Sequence, residues 1–120
     1  MKKLISVFAA IVAIQLPLLA FAHHSAARFD FTNRDAKITG IVKEFEVANP
    51  HTKIVLEVTD DKGTRDVEFE GHSRNNYYRA GWRPDLIHVG DKITLEIAPM
   101  RDGTDGGYAR SVIAKDGTKF

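Results

Sequence analysis

Residues 64–82 read TRDVEFEGHSRNNYYRAGW, and this stretch decides how the rest of the chain is organised. Val67 and Phe69 alternate with Asp66, Glu68 and Glu70, the period of a half-buried strand. Gly71 ends that strand. Ser73 has the side chain of a helix N-cap, the helix is predicted to run to about Ala80, and Gly81 is its stop. Tyr77, Tyr78 and Trp82 give the segment an aromatic side. Tyr78 and Trp82 are four positions apart, so they are predicted to share one helix face turned into a core. A strand followed at once by a helix of about two turns is suited to plugging one end of a barrel.

Outward from this stretch the pattern is β throughout. Upstream, His51–Val58 alternates through Ile54, Leu56 and Val58, and Asp60-Asp61-Lys62-Gly63 is a hairpin turn leading into the strand Thr64–Phe69. Before it, Ala36–Val47 sets Ile38, Gly40, Val42 and Glu44 on one face and Ile41, Lys43 and Phe45 on the other. Gly40 inside a strand predicts a bulge or sharp bend, as a strand serving two sides of a small barrel requires. Asn49-Pro50 breaks the chain before His51. Downstream, Arg83-Pro84-Asp85 and Gly90-Asp91 are turns, Lys92–Ile97 and Tyr108–Ala114 are strands, and Met100–Gly107 is a polar loop. Asp116-Gly117 closes the domain, with Lys119-Phe120 as a short tail. The order is three strands, a short helix and two strands. It predicts an all-β domain with one short helix over residues 36–120, a five-stranded OB-fold-like Greek-key barrel. A small sandwich or another five-stranded barrel gives the same order.

Residues 1–22 carry the three parts of an export signal in sequence. Lys2 and Lys3 are the positive end, Leu4 to Ile14 is apolar, and Ala20-Phe21-Ala22 is the small-residue cleavage site. An uncleaved anchor is the competing reading, but Gln15 and Pro17 interrupt the run. The expected location is the periplasm, with no stable membrane insertion after cleavage. Residues 23–35 are then an extended N-terminal segment that tucks Phe29 and Phe31 against the body.

The whole chain has 17 Lys and Arg against 16 Asp and Glu, a net charge of +1. The leader holds two of the lysines and no acid, so the processed chain carries −1. A domain so close to neutral lacks the basic footprint of a nucleic-acid binder. There is no cysteine, hence no disulfide and no thiolate ligand. Any metal must be held by nitrogen or oxygen.

Cleavage after Ala22 exposes His23-His24-Ser25. A free amine, two imidazoles and backbone amides then lie a few atoms apart, and amine and imidazole both lose their protons readily near neutral pH. Either the amine and imidazole of His23 chelate together with a third nitrogen from His51, or the amine, the His24 amide and the His24 imidazole bind in a plane. Both sets are nitrogen-rich and tetragonal, which favours copper(II). The competing reading is a solvated tail. His51, placed after Asn49-Pro50, is either a ligand or a histidine packing the barrel rim. His72 and His88 are expected at the surface or at a helix cap.

The set Ala22-His23-His24-Ser25, Asn49-Pro50-His51, Arg79-Ala80-Gly81-Trp82 and Gly90-Asp91 resembles a family of small exported bacterial proteins known as a domain of unknown function. Positions 23, 24 and 51 match its pattern, and His72 and His88 do not. The resemblance implies a periplasmic setting and a small β-barrel, and it brings no catalytic residue. The chain itself has no nucleophile elbow, phosphate loop or HExxH motif. Asp30, Glu44 and Glu70 have no partner visible in sequence. Asp102 to Gly107 lacks the spacing of a calcium loop. Tyr77, Tyr78, Trp82 and Tyr108 could stack a ligand, but packing is the preferred role. The expectation is a non-enzymatic periplasmic binding protein for a partner protein or small ligand, with copper binding through His23, His24 and His51 as the alternative.

Overall fold

A computed structural model describes residues 26–120. The leader reading, the cleavage site, His23 and His24 all lie outside the described residues. Five strands close into a barrel: β1 (Lys37–Glu46), β2 (Lys53–Asp60), β3 (Gly63–Gly71), β4 (Lys92–Pro99) and β5 (Gly107–Ile113). The helix α1 (Arg74–Ala80) joins β3 to β4. Around the barrel the order is β1-β2-β3-β5-β4, with β1 and β4 paired to complete the ring. Only β3 and β5 run parallel; the other pairs are antiparallel. This is the OB-like barrel expected from the element order.

Alternation fills the interior. Val42, Ile54, Leu56, Val58, Val67, Phe69, Ile93, Leu95, Ile97, Ala109 and Val112 are all buried in one cluster. Each of the larger aliphatic and aromatic side chains contributes roughly 1.5–3 kcal/mol relative to leaving it in water. Two bulges turn the wall. Val42 pairs with Leu56 and Glu44 with Val55, which leaves Lys43 without an opposite residue. Glu96 pairs with Ser111 and Ile97 with Ala109, which leaves Arg110 as the extra residue. A bulge adds local twist, and a five-stranded wall needs it to close.

Gly40 is not the bulge. It sits where β1 passes from β4, paired over Lys37–Ile41, to β2, paired over Ile41–Glu46. A Cβ there would stand 2.6 Å from the Glu57 carbonyl oxygen, so glycine allows the two backbones to approach. The bend was legible; its bulge falls at Lys43, beyond the crossing. The second strand also starts later than its hydrophobic pattern suggests, leaving His51 and Thr52 on its approach.

The helix begins and ends as its sequence predicts. The Ser73 side chain accepts from the Asn76 amide, and Gly81 adopts φ 115°. Trp82 N donates to Tyr77 O at 2.9 Å and Gly81 N to Tyr78 O at 3.3 Å, a Schellman closure. Its buried face is different from the one expected. Tyr77 is 1% exposed and Tyr78 is 54% exposed. The helix stops at Ala80, so Trp82 lies past the left-handed turn and no longer shares the frame that would set it over Tyr78. Trp82 still packs against the core. Phe120 is a second correction. It is buried, exchanges two backbone hydrogen bonds with Val112, and meets the Tyr77 ring edge-on at 5.2 Å. The last residue is a core residue and not part of a tail.

Candidate functional site

The outward face of β3 and its neighbours builds the site. Val67 and Phe69 point inward, so Glu68 and Glu70 point out. Glu70 is flanked in register by Lys53 on β2 and Tyr108 on β5. His51 precedes β2 and His72 follows β3, so both arrive at the same rim. The segment 26–31 crosses this wall. Its Phe29 bridges to Met100, and Asp30 N donates to Pro99 O at 2.8 Å. Arg101 returns two bonds, from its backbone N to Arg28 O and from Nε to Ala27 O, both 2.9 Å.

A cleft of about 360 Å³ lies between arm and wall, lined by Ala26, Phe29, Phe31, His51, Glu70, His72 and Tyr108. A second, of about 320 Å³, shares Phe29, His51 and Glu70 and continues past Arg28 toward Lys53, Met100 and Asp105. Phe29 is 2% exposed although it stands outside the interior cluster. It is covered by Tyr108 and Phe31, with centroid distances of 5.7 and 6.0 Å. Phe31 keeps 38% of its surface open. Phe29 is tucked in as the sequence suggests; Phe31 is only partly so.

The polar groups are divided by function. Glu70 Oε2 accepts from Arg28 Nη2 at 2.7 Å, and Glu70 Oε1 lies 3.4 Å from His51 Nδ1. Glu70 and Glu44, whose partners were not visible in sequence, are paired by the fold, Glu70 with Arg28 and Glu44 with Lys53. His51 leaves about half of its side chain in solvent. His72 contacts the Arg110 carbonyl through Nε2 at 3.2 Å and the Tyr108 hydroxyl through Nδ1 at 3.0 Å. A carbonyl only accepts, so neutral His72 carries its proton on Nε2 and accepts from Tyr108 at Nδ1. Burial, followed by the nearby charge of Glu70, raises the Tyr108 hydroxyl above its ordinary pKa, and Tyr108 stays a donor at neutral pH. Its ring also stands edge-on to His51 and His72.

A family model matches residues 10–109. The chain belongs to DUF6152, a family of unknown function. No curated protein matches it. The stretch matched to DUF6152 takes in the arm, both cleft histidines and Tyr108.

The sequence-predicted residues fall into three groups. His51 is in the cleft. His23 and His24 precede Ala26 outside the described residues. His88 lies on a turn away from the cleft, with its backbone N bonded to Asp91. In the acidic loop Asp102 caps its own turn through Thr104, and Asp105 is bonded twice by Arg65 of β3. Among the described residues, no group of three or more His, Cys, Asp or Glu side chains is arranged to hold a metal. Among the same residues, no helix is long and apolar enough to cross a membrane. Sequence reasoning placed Phe29 and Phe31 against the body but did not assign Glu70, Arg28 or His72 to a site. The outward position of Glu70 follows from Phe69 pointing in, but its neighbour Tyr108 depends on the parallel pairing of β3 with β5, which no local pattern announces.

Proposed function

We propose that this chain is an exported, non-enzymatic binding protein of the periplasm whose binding site is the cleft beneath residues 26–31. The observation that carries the reading is the convergence of Phe29, Phe31, His51, Glu70, His72 and Tyr108 on one cavity of about 360 Å³. That volume is within the range of small-molecule sites, roughly 300–1,000 Å³, and a mainly apolar wall with a few convergent polar groups is their usual make-up. The leader-like residues 1–22 support export. The test is thermal shift of the processed protein against a panel of small solutes, repeated on Phe31→Ala and His51→Ala. A ligand that stabilises the parent and loses at least tenfold in affinity in both variants supports the cleft. Ligands that stabilise parent and variants equally count against it.

A second reading, copper binding by the processed N-terminus, is favoured by one observation: Ala26 lines the same cavity as His51. Cleavage after Ala22 would leave His23 three positions before Ala26, a reach of at most about 10 Å. The amine and imidazoles of His23 and His24 could then share a nitrogen-rich set with His51, the donor type copper(II) prefers. Protein beginning at His23 is expected to take up copper(II) with a tetragonal, nitrogen-rich EPR signal. One extra residue ahead of His23 should abolish that signal, and equal weak binding by both forms would exclude this reading.

A further inference from the structure

We infer that the cleft takes a small uncharged ring carrying an O–H or N–H donor, phenol being the simplest member of the class, with that donor bonded to Glu70 Oε1. The inference rests on the cleft reading above and names the chemistry of its ligand. The walls favour a ring. Phe29, Phe31 and Tyr108 form one cluster along the cavity, with centroids 5.5–6.0 Å apart in edge-on or tilted contact. Phe31 keeps 38% of its surface open. A ring entering beside Phe31 extends that cluster in the geometry aromatic pairs prefer. The cavity of about 360 Å³ lies at the small end of ligand sites, roughly 300–1,000 Å³, which suits a ligand of one or two rings.

Charge then selects among rings. Among the described residues Glu70 is the one carboxylate of the lining, and only 19% of its side chain is exposed. An acidic ligand would meet it at close range in a poorly hydrated place, so anions are disfavoured. The place of a cation is already taken within the chain. Arg28 donates to Glu70 Oε2 at 2.7 Å, and its guanidinium carbon stands 4.7 Å from the Phe29 ring centroid. It supplies both the counter-charge and the cation over an aromatic ring that an ammonium ligand would bring. Arg28 acts from the second cleft, which it lines together with Glu70. What remains for a ligand is one acceptor. Among the described residues no donor bonds Glu70 Oε1; His51 Nδ1, at 3.4 Å, is not aligned for a hydrogen bond. Tyr108 and His72 are engaged with each other and with the Arg110 carbonyl. A donor on the ligand therefore has one charged acceptor to meet, and a charge-assisted bond is the stronger kind. A ring without a donor would take that oxygen out of water and leave it unpaired.

The experiment follows the backbone amides of the processed protein by NMR at neutral pH, in separate titrations with phenol, anisole, benzoate and benzylammonium. Phenol is expected to shift the amides of His51, Glu70, His72 and Tyr108. It should bind roughly tenfold or more tightly than anisole, its methylated form, the effect of one charge-assisted hydrogen bond. Benzoate and benzylammonium should bind no better than anisole. Glu70→Gln should narrow the preference for phenol over anisole to a few-fold. Arg28→Gln should keep that preference and strengthen benzylammonium binding several-fold, because the carboxylate has lost its internal partner. Phe31→Ala should weaken phenol and anisole alike. If anisole or benzylammonium matches phenol on the parent, or if Glu70→Gln leaves the preference intact, the ligand class is wrong although the cleft reading stands. If none of the four moves the cleft amides, the class is again wrong, and the solute panel decides the cleft by itself. If all shifts fall on other parts of the barrel, both readings fail. Unchanged circular dichroism of each variant separates lost binding from lost folding.

Discussion

At the scale of single residues, space and not polarity decides most of what cannot change. Gly40 carries the crossing of β1 between its two partners, and the atom its Cβ would strike is backbone, the Glu57 carbonyl. Backbone cannot rotate away as a side-chain tip can. Gly40→Ala is therefore expected to destabilise by about 1–3 kcal/mol, read from urea unfolding. The adjacent tyrosines make a sharper contrast. Tyr77→Ala removes a ring that is 1% exposed and packed on Phe120, and should cost roughly 3–5 kcal/mol. Tyr78 stands in solvent with the Arg83 guanidinium 4.1 Å from its ring centroid, so Tyr78→Ala should cost under about 1 kcal/mol. Equal losses at the two positions would contradict the burial assigned to them. At the cleft, the same scale separates His51 from His72. The residue type is the same, but His72 is half-buried with both ring nitrogens in hydrogen-bond contact, whereas His51 is exposed beside Glu70.

At the scale of elements, α1 is a short helix defined at both ends. Seven residues are too few to be stable alone, since nucleation consumes most of what a short helix gains. Its place is fixed by the Ser73 cap, the Gly81 closure and the seating of Tyr77. Gly81 adopts φ 115° with nothing near its missing Cβ, so the cost of a side chain there is conformational. Gly81→Ala is expected to destabilise by about 1–2 kcal/mol with an unchanged denaturant slope. The sequence marked both caps because capping is local chemistry. It did not mark the buried face. Tyr78 and Trp82 have helical spacing on paper, but the chain leaves helical geometry between them.

At the scale of the whole molecule, carboxylates paired with cations tie the barrel wall together. Lys119 and then Ser111 hold Glu96 down to about 2, and Arg65 and the Lys62 amide hold Asp60 down to about 2. Asp91 is lowered chiefly by Lys115 and Asp105 by Arg65. Unfolded carboxylates titrate near 3.9–4.3, so each of these groups binds its proton more weakly when folded. Their stabilisation is complete above roughly pH 5 and is lost as the pH falls through the folded values. The melting temperature should be nearly level from pH 7 to 5 and fall steadily from pH 4 to 2. Melting that rises over the lower interval would contradict these pairings. Glu96→Gln should flatten part of that fall. The residues involved come from distant parts of the chain: Arg65 gathers Asp60 from its own hairpin and Asp105 from the loop between β4 and β5.

The sequence by itself determined the strands, their order, the helix with both its caps, and through these the closed OB-like barrel. Alternation and capping act over a few residues, and the order of elements leaves few ways to close so short a wall. It also marked His51 as a residue at the edge of a strand. Tertiary structure decided which residues share a place. The parallel pairing of β3 with β5 sets Tyr108 beside Glu70, and the arm returning across the wall brings Arg28, Phe29 and Phe31 to them. Phe120 became core for the same reason: its partners Val112, Tyr77 and Phe45 are near in space and not in sequence. A cleft formed by residues tens of positions apart has no local periodicity, so it exists only once the barrel has closed.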